Sequence, residues 1–133
     1  MLSSIICWSQ DERAERGRDR GGREKIRAAH SAYITERLEL TSTEAEKFWP
    51  VYREYGEKRR ALRQQFNEAK KRGESEKSLV DLDLEIKQKM LDLEREYSGQ
   101  LQQIISAEKM LELRQAEIDF RRLVLRQIQR RTK

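Results

Sequence analysis

From Ile26 to Ile128 the apolar residues recur at three- and four-residue spacing, which is the period of an amphipathic α-helix and not of a strand. Ile26, Ala29, Tyr33, Ile34 and Leu38 predict a first helix over about residues 24–38. A second stripe of Ala45, Phe48, Tyr52, Tyr55, Leu62, Phe66 and Ala69 predicts a helix over 42–72, interrupted on its apolar side only by Arg59. Gly73 then supplies a left-handed stop, and Ser75 can cap a third helix over 76–104, striped by Leu79, Leu82, Ile86, Met90, Leu93, Tyr97, Leu101 and Ile104. The link between them is so short that the second and third helices must form an antiparallel hairpin. A fourth helix is predicted over 107–130. Its apolar residues, Met110, Leu111, Leu113, Ile118, Phe120, Leu123, Val124, Leu125 and Ile128, spread over more than one face. Such a helix needs more than one neighbour, supplied by the hairpin and first helix or by a second copy of the chain. The expected fold is therefore all-α: an elongated, hooked helical hairpin of about four helices, making a single domain over 24–130 with a basic tail at 131–133.

Two helix starts are written locally. In Leu40-Thr41-Ser42-Thr43-Glu44, the threonine hydroxyl can accept from the amide of Glu44 while the glutamate reaches back to the threonine amide, a capping box. Ile105-Ser106-Ala107-Glu108 repeats the sense of it: an apolar residue, a hydroxyl cap and an acidic first turn. Pro50, the only proline, stands well inside the second helix among Phe48, Trp49, Tyr52 and Tyr55. A proline there removes one helix hydrogen bond and its ring crowds the carbonyl of Glu46. The expectation is a kink between Glu46 and Pro50, or a restart of the helix there, with the aromatics turned toward the first and fourth helices.

Composition narrows the picture. The chain has 133 residues, 40% of them charged and 36% hydrophobic, which suits one slender helical domain better than a thick core around an enclosed cavity. The net charge of +5 is concentrated at the end, with six basic and no acidic residues from Arg121 to Lys133. Residues 1–10, MLSSIICWSQ, are apolar and read either as the remnant of a secretory signal or as a disordered cytosolic N-terminus; residues 11–23, mixed in charge and holding glycine, read as a flexible linker. Cys7 is alone, so no intrachain disulfide is expected.

The residues of catalysis are sparse. One histidine, one cysteine and no glycine-rich phosphate loop point away from an enzyme and from any cofactor. His30 lies near the apolar side of the first helix, where packing is the ordinary role, and with Met90 and Met110 it makes too small a set to hold a metal. Arg122, Arg126 and Arg130, at i, i+4 spacing, could follow phosphates, but the same residues complement a helix C-terminus and could equally face acidic or partly unfolded polypeptide, or the anionic heads of a membrane surface. Charge alone does not separate these readings.

The run ITERLELTSTEAEKFWPVYREY from Ile34 to Tyr55, together with the second cap at Ile105-Ser106, resembles the LTXXQ group of Spy/CpxP-like periplasmic proteins, most nearly the branch described as sensors of ECF-type sigma factors. In that comparison Leu40 and Thr41 match the first motif and Glu44 replaces its glutamine; Ile105 and Ser106 stand for leucine and threonine in the second, and Lys109 occupies its glutamine position. The resemblance implies export to the periplasm, a cradle-like antiparallel homodimer, and either ATP-independent binding of unfolded or misfolded polypeptide or contact with a signalling protein of the envelope stress response. Phe48, Trp49, Tyr52 and Tyr55 would then offer the apolar side of a polypeptide site and Arg122, Arg126 and Arg130 its charged side. The competing expectation is a cytoplasmic coiled-coil adaptor, or a nucleic-acid accessory protein acting through the basic last helix.

Overall fold

The computed structural model describes residues 21–132, and every regular element in that range is a helix. Helix α1 covers residues 21–37, α2 Ser42–Lys71, α3 Glu76–Gln102 and α4 Ala107–Arg131. The all-α architecture and the α2–α3 hairpin follow the hydrophobic period. The signal remnant predicted at 1–10, and the linker up to residue 20, lie outside the described residues. Residues 21–23, which the linker reading included, are helical. Arg131 likewise belongs to α4, not to a tail.

The boundaries are set by side chains and by single backbone conformations. Thr41 is extended (φ −69°, ψ 163°) and closes the predicted capping box. The Glu44 amide donates to Thr41 Oγ1 at 3.1 Å, and the Thr41 amide donates to Glu44 Oε1 at 3.0 Å. Caps of this kind stabilise a helix by about 0.5–2 kcal/mol. Ser75 caps α3 by accepting from the Ser78 amide at 3.2 Å, and Ser106 caps α4 by accepting from the Lys109 amide at 3.2 Å. At the far end of α2, Gly73 takes φ +74°, which lets the Glu74 amide reach the Ala69 carbonyl and the Gly73 amide the Lys70 carbonyl. Glu39 does the same after α1 with φ +50°, a conformation that costs a residue with a Cβ about 1–2 kcal/mol. Gly73 avoids that cost. Glu39 does not.

Helix α2 passes through Pro50 without stopping. The predicted restart does not occur, because one missing amide leaves only the Glu46 carbonyl without its helical partner, and both residues lie at the exposed side where water can replace it. The aromatics form a ladder that ends on α3. Phe48 stacks on Tyr52 (5.1 Å, 15°), Trp49 meets both edge-on, and Tyr52 leads through Tyr55 to Tyr97 of α3, whose ring centre is 5.4 Å from that of Tyr55.

The helices group into two compact units. One joins residues 21–39 to 113–132; the other is Leu40–Glu112 and holds the hairpin. Ile34, Leu38, Leu113 and Ala116 are the buried apolar residues of the first, and Phe48, Ala69, Ile86, Tyr97, Leu101 and Ile105 those of the second.

Candidate functional site

Within the unit Leu40–Glu112 the two helix starts meet. Lys109, in the first turn of α4, donates from Nζ to Glu44 Oε1 at 2.8 Å, the same oxygen that receives the Thr41 amide. Both side chains are about a quarter exposed. The Lys109 ammonium, then the Thr41 amide, hold the Glu44 carboxyl below the ordinary carboxylate range. The second motif position that departs most from the LTXXQ pattern is thus the one that pairs with the first. The two are 65 residues apart, and no local spacing announces their contact.

The other unit is tied by a second set of charges. Arg37 Nη1 donates to Asp119 Oδ2 at 2.9 Å and to the Tyr33 hydroxyl at 2.6 Å, and Gln115 Nε2 donates to Asp119 Oδ1 at 3.0 Å. Arg37, then Gln115, hold the Asp119 carboxyl below its usual range. His30 packs edge-on against Phe120, with ring centres 5.1 Å apart, while its Nε2 sits 2.9 and 3.0 Å from the two Glu117 oxygens. Since a carboxylate only accepts, Nε2 is the protonated nitrogen. Sequence reasoning placed His30 correctly beside apolar neighbours and missed its partner, as it missed Arg37 with Asp119, because the partners lie more than 80 residues away.

Both depressed carboxyls stabilise the fold above their unfolded values, about 4.3 for Glu and 3.9 for Asp, and that stabilisation is lost as pH falls through the lower folded values. Urea unfolding followed by circular dichroism should show stability falling on the acid side of about pH 4. Lys109→Met should reduce stability at neutral pH and flatten part of that acid slope; an unchanged slope would remove Lys109 from the account.

The residues proposed to meet a polypeptide fall into two groups. Phe48 is 0% exposed and cannot be a contact residue in this conformation: its ring is enclosed, and removing it from water is what holds the start of α2. Trp49, Tyr52 and Tyr55 are half-buried in the ladder, with Arg53 over the Trp49 ring and Arg59 over the Tyr55 ring. Arg122, Arg126 and Arg130 are exposed along one side of α4. They belong to the first unit and the aromatics to the second.

A different apolar surface stands open. Val80, Leu84 and Leu91 of α3 are 60%, 61% and 41% exposed. At i, i+4 and i+11 they lie within about 40° of one line along the helix. Lys87 lies between them, bridged to Asp83 at 2.8 Å. The main stripe of α3 hid this second one in the sequence, although its spacing was readable. Among the described residues no group of three or more His, Cys, Asp or Glu is placed to hold a metal, and no helix is long and apolar enough to cross a membrane.

These features define an all-α protein whose open surfaces are apolar stripes and basic helix faces. Comparison with protein-family models, with curated proteins and with solved structures finds no match for the chain.

Proposed function

We propose that the chain is a non-enzymatic helical protein that binds polypeptide, as an ATP-independent chaperone or as a sensor of envelope stress, in the periplasm. The observation that carries this reading is the exposed stripe of Val80, Leu84 and Leu91, a line of large aliphatic side chains left in water on a helix whose opposite side is already packed. Such a stripe contacts the apolar parts of a flexible client without requiring one sequence. The interspersed Asp83, Lys87 and Glu94 keep it wet enough to release. The likeness of Ile34–Tyr55 to the LTXXQ proteins supports both the periplasmic location and the two candidate roles.

The test is suppression of aggregation. At near-stoichiometric ratio and without ATP, the full chain should reduce light scattering from a chemically denatured client, and Val80→Ser with Leu84→Ser should remove most of that effect while leaving the helical circular dichroism spectrum in place. No suppression by the unaltered chain would reject the chaperone role. Undiminished suppression by the double variant would reject the stripe.

A further inference from the structure

The unit formed by residues 21–39 and 113–132 has an apolar groove of about 390 Å³ between its two helices, floored by Ile26, Ala29, Phe120, Leu123, Val124 and Ile128. The volume lies in the range of specific binding clefts, about 300–1,000 Å³. Ile26, Leu123 and Ile128 are 43–53% exposed, while Phe120 and Val124 are half-buried at its base. Lys25 and Arg131 stand at the rim. Residues 21–30 and 120–132 together hold eight arginines and lysines against one glutamate, Glu24. Lys25, Arg121, Arg126, Arg130 and Arg131 have no ion-pair partner among the described residues.

We propose that this groove is a docking site for an acidic amphipathic helix of another protein, which lays its apolar side between α1 and α4 and sets its carboxylates against the surrounding cations. The inference rests on the polypeptide-binding reading above and assigns it a second surface with its own partner chemistry. Among the described residues of this unit no third helix fills the groove, and an incoming helix supplies side chains at i, i+3, i+4 and i+7 that fit it. The surrounding charge selects the sign of the flanking residues: an acidic helix is steered in and a basic one repelled. A bilayer is the poorer occupant, because Phe120 and Val124 are recessed between helices and a flat lipid surface engages side chains that stand proud.

The test uses the full chain and a fluorescein-labelled synthetic peptide of about 18 residues, long enough to form a helix when bound, with leucines on one face and glutamates on the other. Its two controls are the same peptide with lysine for glutamate and a scrambled acidic peptide of identical composition. Fluorescence anisotropy should show the acidic amphipathic peptide binding on the order of tenfold more tightly than either control, and weakening as salt shortens the reach of the charges. Leu123→Ser with Ile128→Ser should lower its affinity about tenfold, as should Lys25→Glu with Arg131→Glu. All four positions are exposed, and Leu111→Ser, at an exposed leucine outside both the groove and the α3 stripe, should leave the affinity unchanged. Equal binding of the scrambled peptide, or unaltered affinity in both double variants, would overturn the proposal. So would anionic phosphatidylglycerol vesicles displacing the peptide and binding in its place, which would give the groove to a lipid surface. A dimer in light scattering that the Leu123/Ile128 variant dissolves would give it to a second copy. Aggregation suppression measured on the same preparations separates the two readings: suppression without peptide binding rejects the groove alone, and loss of both rejects polypeptide binding altogether.

Discussion

Phe48→Ala should lower the unfolding free energy by about 3–5 kcal/mol, the largest effect expected of any single substitution in the described chain. The ring is wholly enclosed and in contact with two others, so its loss removes buried area and leaves a cavity that helix backbone cannot easily fill. Trp49→Ala, at a half-buried ring, should cost clearly less. Urea denaturation of both variants checks the order. A Phe48 variant losing under about 1 kcal/mol would mean that the ladder from Trp49 to Tyr97 closes over the gap and that Phe48 is not its foundation.

Pro50→Ala should move stability the other way, raising it by about 1–3 kcal/mol. Helix α2 is continuous across this position, the proline is exposed, and alanine restores an amide for the Glu46 carbonyl while removing the ring that crowds it. The sequence alone suggested a corner that alanine would spoil. A loss of stability in thermal or urea unfolding would support a kink that needs the proline; a gain means that the helix tolerates the proline rather than needing it.

What could be read in the sequence is what depends on neighbours along the chain. Thr41 with Glu44, Ser75, Ser106 and Gly73 fix helix ends through contacts no more than five residues long, and each stands where its local pattern put it. Helix ends without a hydroxyl or glycine cap were displaced by one to three residues: α1 is already helical at residue 21, and α3 stops at Gln102, with Ile104 and Ile105 in the turn beyond. Glu39 was not foreseen as a left-handed stop because nothing in glutamate favours that conformation. The candidate site was less legible. Periodicity placed Phe48, Tyr52 and Tyr55 on an apolar face correctly, but it does not distinguish an aromatic that packs from one that binds. The pairs Glu44 with Lys109, His30 with Glu117 and Arg37 with Asp119 depend on how distant helices meet, which spacing cannot encode.

The meeting of Glu44 and Lys109 carries one more consequence. Helices α2 and α4 begin close enough for their first turns to share a hydrogen bond, so two positive dipole ends, each equivalent to about half an elementary charge, converge there together with a lysine. A glutamine at position 44 would close the capping box with the same shape, but it would leave that concentration of positive charge unopposed. The glutamate supplies the counter-ion, and in doing so it makes the joint between the two starts an electrostatic latch. Because the latch is near the surface, mobile ions compete for it. An amide in its place would lack that attraction; this chain should loosen at the joint as the surrounding salt rises.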